Sequence, residues 1–221
     1  MKIETVLFDF DGTLADTNEL IRRSHLEVLE EYYPGEYDAE KVRAFNGPPL
    51  DLIYSNINFA EKETMIAKYR AFNELYHDEL VTLFDGVQNS LRLLKQNGIQ
   101  LGVVSTKRND TLLKGIKLLG LDGLFDTVVG GMDYTHPKPD PEPILVAMSR
   151  LNCRKETTIM VGDNFHDILS AKNAGIPGVF VGWSEKTLEE IAPYAPSFIV
   201  HTMEELTELV LTHQLVGNEK S

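Results

Sequence analysis

The chain has one cysteine, Cys153, one tryptophan, and no apolar run near the roughly 18 to 20 residues that a membrane-spanning helix needs. An internal disulfide is therefore excluded, and Cys153 reads as a passive thiol at the end of a helix. Positive charge is also scarce: 21 lysines and arginines stand against 34 acids, for a net charge of −13. A chain of that sign repels nucleic acid and anionic membranes, so an anionic ligand has to be met by a local positive site made from a metal or a few basic side chains. Met1-Lys2-Ile3-Glu4 leads straight into an apolar segment without the pattern of a signal peptide, which makes a cytoplasmic location the expectation.

What is present suits a globular chain with one ordinary domain and a substantial insertion: 221 residues, 43% of them apolar. From Leu101 onward, short apolar runs at 101–104, 127–129, 158–161 and 179–181 read as strands, and the stretches 110–119, 141–151 and 167–174 between them read as helices. Asn97-Gly98 and Ala174-Gly175-Ile176-Pro177 supply stop signals. Such alternation predicts an α/β fold with a Rossmann-like parallel sheet. Residues 16–84 break the rhythm, with no convincing strand and several amphipathic helices. One, over 20–33, follows a capping-box pattern at Asp16-Thr17-Asn18-Glu19; another, over 60–79, carries Met65, Ile66, Tyr69, Phe72, Leu75 and Tyr76 as a core stripe. The expected organisation is a core from 1–15 and 85–221, and an inserted α-helical cap, 16–84, placed to act as a lid. The polar end at 217–221 reads as frayed.

The first apolar run, Val6-Leu7-Phe8, closes on Asp9-Phe10-Asp11-Gly12-Thr13-Leu14. Residues two apart share a strand face, so Asp9 and Asp11 look into one site at the edge where parallel sheets place their ligands. Paired carboxylates repel unless a cation neutralises them, which suggests Mg²⁺ and chemistry on an anion. Three further segments end predicted strands at that edge. Ser105-Thr106-Lys107 offers hydroxyl and backbone N–H donors for a phosphoryl group, or else ordinary turn chemistry. His136-Pro137-Lys138-Pro139-Asp140-Pro141 restrains the backbone on both sides of one lysine, either to aim a cation at an anionic site or to form a rigid turn into a helix; His136 reads as a turn residue. In Gly162-Asp163-Asn164-Phe165-His166-Asp167, Asp163 could complete a hard oxygen site with Asp9, and Asp167 could order metal-bound water or hold Lys138. Either acid could instead cap the following helix.

Taken in order, DFDGT, the Ser105 segment, Lys138 and GDNFHD resemble the four motifs of the haloacid dehalogenase-like hydrolase superfamily, over residues 9 to 167. The resemblance implies that Asp9 is a nucleophile forming an aspartyl-phosphate and that Asp11 is general acid, then base. It also implies Mg²⁺ held by Asp9, the Asp11 backbone carbonyl and Asp163, with Asp167 nearby, and a transferring group held by Ser105 and Lys138. A closer resemblance, to bacterial inorganic pyrophosphatases of the phosphoglycolate-phosphatase-like branch, lies in Thr17-Asn18-Glu19-Leu20-Ile21, Ala44-Phe45-Asn46-Gly47-Pro48-Pro49-Leu50, Tyr69-Arg70-Ala71-Phe72-Asn73 and Lys138-Pro139-Asp140-Pro141-Glu142-Pro143. It implies hydrolysis of pyrophosphate, a small phosphorylated anion, to orthophosphate. Substrate contacts are expected from Ser105, Thr106 and Lys107, and from Gly47 in a stiff loop of the insertion. The distal phosphate calls for a second cation, with Lys107, Arg108, Arg43, Arg22 and Arg23 as candidates. The alternatives are a phosphatase for phosphoglycolate or another small monoester, a phosphosugar mutase, and a receiver-type signalling domain, against which the insertion and the combination of Asp11 with Asp163 argue.

Overall fold

The Val6-Leu7-Phe8 run lies in strand β1 (Thr5–Phe8), buried at all four positions as a strand covered on both faces must be. The computed structural model describes residues 2–212, and the tail expected to fray lies outside them. After β1 come β2 (Ala15–Asp16), α1 (Asn18–Tyr32), α2 (Ala39–Arg43), α3 (Leu50–Asn58), α4 (Lys62–Leu80) and β3 (Thr82–Leu83). The chain continues through α5 (Val87–Gln96), β4 (Gln100–Val104), α6 (Asn109–Leu118), β5 (Thr127–Val129), α7 (Glu142–Leu151), β6 (Thr158–Gly162) and α8 (Phe165–Ala174). It ends in β7 (Gly178–Val181), α9 (Leu188–Ile191), β8 (Phe198–Val200) and α10 (Met203–Thr212). Two compact units result: one from the chain up to Leu14 and from Leu83 onward, the other from Ala15–Thr82. Among the described residues no helix is long and apolar enough to cross a membrane.

The larger unit is built on a six-stranded sheet in the order β5-β4-β1-β6-β7-β8, with every neighbouring pair parallel. This is the α/β architecture with a Rossmann-like sheet. From β1 the chain builds outward through β4 and β5, then returns to lay β6 on the other side of β1, which makes β1 the point where strand order reverses and ligands bind. Phe8 lies opposite both Val103 and Val161, so Asp9, Ser105 and Asp163 all emerge at one edge. Leu7, Val104, Val129 and Met160 pack with Ile144, Ala147, Met148 and Leu151 of α7 and with Ala171 and Ala174 of α8, giving that edge a rigid floor.

In the helical unit, Val28 and Leu29 of α1, Val42, Tyr54, and Met65, Ile66 and Tyr69 of α4 form a separate core. Three details differ from the sequence reading. Thr17 is the α1 N-cap but makes no capping bond, because its backbone (φ −114°, ψ 5°) is not extended; Asp16 Oδ1 accepts from Asn18 N instead, at 3.2 Å. The insertion opens and closes on short strands, β2 and β3, that pair with one another. Leu75 is 73% exposed, since Met65, Tyr69, Asn73 and His77 step by four along the inner face of α4 and Leu75 falls opposite. Phe72 and Tyr76 lie under the Arg23 guanidinium, 5.9 and 5.3 Å from its carbon.

His25 sits at the centre of this second core, with Nδ1 3.0 Å from the Tyr54 hydroxyl and its ring 5.2 Å from Phe45 and 4.6 Å from Tyr69. Its Nε2 has no hydrogen-bond partner among the described residues, and burial lowers its pKa to about 3. The unfolded chain therefore binds a proton that the folded one refuses between roughly pH 6.5 and pH 3, and stability falls as pH falls through that window by up to about 1.4 kcal/mol per pH unit. In pH-dependent thermal unfolding, His25→Gln is expected to be less stable than wild type at pH 7 yet to lose less stability between pH 6.5 and 5. A parallel loss would show that His25 does not carry that proton linkage.

Candidate active site

Asp9 follows β1 directly, and its N–H donates to Val161 O at 2.9 Å, so the ladder fixes its backbone one residue beyond the strand. Gly12 then turns the chain back at φ +78°, and a Cβ there would collide with the Asp163 carboxylate, so both conformation and space require glycine. Thr13 Oγ1 donates to Asp163 Oδ1 at 3.3 Å. Asp163 follows β6, and Gly162 before it leaves room for the Asp167 carboxylate, which a Cβ would strike. Carboxylate oxygens of Asp9, Asp163 and Asp167 come within 4.8 Å of one another, all buried.

Lys138 is the cation among them. Its Nζ lies 3.0 Å from Asp9 Oδ1 and 2.6 Å from Asp167 Oδ1, and it donates to Val104 O at 3.0 Å. Two of the three sequence readings of Asp167 are seen, one for each oxygen: Oδ1 pairs with Lys138, and Oδ2 accepts from Asn164 N at 3.1 Å in a capping box that starts α8. The lysine segment likewise does both, because its turn leads into α7 with Pro141 at the N-cap position while Lys138 reaches the acids. His136 is a turn residue: its N–H donates to Glu142 Oε2 at 2.7 Å and its Nδ1 lies 2.8 Å from the same atom.

Burial lifts the Asp9 pKa to about 7; Lys138 opposes the rise, and the charges of Asp167 and Asp11 add to it. Asp163 is raised well above the carboxylate range by burial, then by Asp9 and Asp167. Burial alone would lower the Lys138 pKa, but Asp167 and Asp9 override it and hold the ammonium charged. Three buried carboxylates, two of them paired with one ammonium, form an oxygen-only, electron-rich donor set, which fits a hard divalent cation.

Asp11 is not in that cluster. Its Oδ1 accepts from Lys107 Nζ at 2.8 Å. The Ser105 hydroxyl accepts from Lys107 N at 3.1 Å, the turn chemistry foreseen as an alternative, and keeps its own proton free to donate. Thr106 is half-buried on the same turn, and Gly47, at φ +116°, lies in the helical unit on the loop between α2 and α3. Sequence reasoning passed over four supports of the site. Tyr134 donates its hydroxyl to Ser105 O at 3.1 Å, Trp183 Nε1 donates to Thr13 O at 3.0 Å, Ser184 Oγ donates to Asp163 O at 2.8 Å, and Thr13 was read only as part of a motif. One signal was available for Trp183: the sole tryptophan stands just past a predicted strand on the ligand edge.

This geometry agrees with what the chain resembles. Residues 6–181 match the haloacid dehalogenase-like hydrolase family, and the chain belongs to that family. It is a hydrolase of the phosphatase kind, in a family that generally uses a divalent metal ion. It is 47% identical over 208 residues to Pyrophosphatase PpaX of Bacillus velezensis, covering 94% of this chain and 96% of that one. It is 42% identical over 210 residues to Pyrophosphatase PpaX of Halalkalibacterium halodurans, covering 95% and 98%. Among solved structures, a predicted phosphatase from Clostridium acetobutylicum superimposes with a TM-score of 0.85 at 27% identity, over 96% of this chain and 99% of that one.

Removing one partner of a buried charge network leaves the others uncompensated, at a cost of about 3–5 kcal/mol. Lys138→Met is expected to lose stability on that scale at pH 8 and less at pH 5. Without the ammonium nothing opposes the upward shift of Asp9, which binds its proton more tightly folded than unfolded, so stability is retained at low pH and lost as pH rises. Urea unfolding at the two pH values measures this, and equal losses would contradict it.

Proposed function

We propose that this chain is a Mg²⁺-dependent inorganic pyrophosphatase working through an aspartyl-phosphate on Asp9. The observation that carries the reading is identity of 47% and 42% with proteins named Pyrophosphatase PpaX over 94% and 95% of the chain. That span includes the helical unit, which in this reading is the substrate-selecting cap; a core alone would specify which bond breaks but not the leaving group.

In the first half-reaction an Asp9 carboxylate oxygen bonds to the reacting phosphorus. The bridging P–O bond breaks, its electron pair goes to the distal phosphate, and Asp11 donates the proton that the leaving oxygen takes up. Phosphate is a far weaker base than an alkoxide, so this proton is worth less than the roughly 10² to 10⁴ in rate that a positioned acid can supply. In the second half, water bonds to phosphorus while Asp11, now a carboxylate, removes its proton; the P–O bond to Asp9 breaks and the free carboxylate returns. Water activation by Asp11 is thus needed for every substrate.

Lys138 orients Asp9 and offsets its repulsion of the incoming anion. In this reading Ser105 and Thr106 bind the phosphoryl oxygens, and Lys107 and Gly47 are further substrate contacts. Mg²⁺ held by Asp9, Asp163 and the Asp11 backbone carbonyl would supply positive charge against the phosphoryl oxygens. Asp167, with both oxygens engaged, acts through Lys138 and through water. The substrate is a small phosphorylated anion met in the cytoplasm, without nucleic acid or membrane as partner.

A steady-state panel of pyrophosphate, phosphoglycolate and other monoesters tests the reading. Mg²⁺-dependent phosphate release with the highest kcat/KM on pyrophosphate is expected, and a preference for phosphoglycolate would overturn it. Asp9→Asn is expected to abolish turnover, and Asp163→Ala to reduce it by about two orders of magnitude or more. Because Asp9 and Asp163 hold protons that an ion must displace, Mg²⁺ should raise the thermal unfolding midpoint more at pH 8 than at pH 5. A larger shift at pH 5 would count against these ligands.

A further inference from the structure

The two lysines of the site are divided between its two leading carboxylates, and they differ in what they have left to give. An ammonium has three donors. Lys138 spends all of them on Asp9, Asp167 and Val104 O, and it stands on the side of the nucleophile. Among the described residues Lys107 Nζ makes one bond, to Asp11 Oδ1, so two of its donors remain. In the reading proposed above, Asp11 serves the leaving-group oxygen, so a cation resting on Asp11 stands where the leaving group departs. We infer that Lys107 determines specificity for a leaving group that is itself a phosphate, by exchanging its ammonium from Asp11 to the distal phosphate when pyrophosphate binds. This rests on the pyrophosphatase reading and refines it.

The anchor of Lys107 is fixed while its end can exchange. Its backbone N–H donates to Ser105 Oγ at 3.1 Å and its carbonyl accepts from Gly131 N at 2.8 Å. Gly131 is held so near that a Cβ would lie 2.6 Å from Thr106 O. The Lys107 and Asp11 side chains are only 11% and 16% exposed, shielded enough for a charge-assisted bond to exceed its value on an open surface. The exchange replaces one such bond with another to a more highly charged group, so no buried charge is left alone. A monoester with an uncharged leaving group offers no such exchange, and Lys107 stays on Asp11 and competes for the carboxylate that must move the proton. Attraction toward one substrate and obstruction of the other both favour pyrophosphate. Arg108, the neighbouring cation of the same unit, is turned to Asp110 at 3.1 Å and is 47% exposed.

The test compares kcat/KM for pyrophosphate and for p-nitrophenyl phosphate, which has no second phosphate, in wild type, Lys107→Met, Lys107→Gln and Lys107→Arg. Loss of one charge-assisted bond is expected to lower the pyrophosphate-to-p-nitrophenyl-phosphate ratio by about 10- to 100-fold in the Met and Gln variants, with Arg restoring most of it. The Ki of methylenediphosphonate should rise relative to that of orthophosphate in the same variants, a change that a merely structural lysine would not produce. If wild type is active on pyrophosphate but the ratio is unchanged in both neutral variants, the Lys107 assignment fails alone. If wild type releases no phosphate from pyrophosphate, the function and this inference fail together.

Discussion

The buried ammonium of Lys138 is the interaction on which the site depends. It joins three elements that the sheet order brings together: the end of β1 through Asp9, the end of β4 through Val104 O, and the start of α8 through Asp167. A charge this deep is tolerated only when its partners are close and its hydrogen bonds are filled. The glycines follow from the same constraint. Gly12 and Gly162 clear the space into which Asp163 and Asp167 press, so the cluster is paid for in backbone freedom at two strand ends.

Much of the core was legible in the sequence because its signals were local. Strands at 100–104, 127–129, 158–162 and 178–181 are short β-branched runs bounded by glycine or helix caps, and periodicity finds those. The helical insertion was harder to read. Its Asp16-Thr17 start fits a capping box by letter, yet Thr17 lacks the extended backbone that the box requires, and no spacing rule encodes a dihedral angle. Leu75 failed for a related reason: a stripe of apolar residues was read wider than the face that packs, where Asn73 and His77 take inner positions instead. Polar residues on a buried helix face are invisible to a hydrophobic pattern.

At the site, legibility followed covalent proximity to strand ends. Asp9, Ser105 and Asp163 could be found because each follows a strand at one edge, and Lys138 because prolines bracket it. Tyr134, Trp183 and Ser184 act on backbone carbonyls far away in sequence, at separations of 29, 170 and 21 residues, and a carbonyl acceptor leaves no mark on residue type. The pairing of Lys107 with Asp11 joins two side chains of telling type, but 96 residues separate them and no spacing rule spans that distance.

The overall charge of −13 and the site's own charge lead to one conclusion. Within the cluster three carboxylates stand around one ammonium, so the fully ionised set is already negative before an anion arrives, and burial, followed by these like charges, raises Asp9 and Asp163. A phosphorylated substrate would add to that excess. In the proposed function the divalent ion general to this family and the substrate would therefore be coupled ligands of one site, since the charge of the ion would make room for that of the substrate. Lys107 lies outside this balance because its partner is Asp11 rather than the cluster, which is why it alone of the two lysines can change partners without unmaking the site.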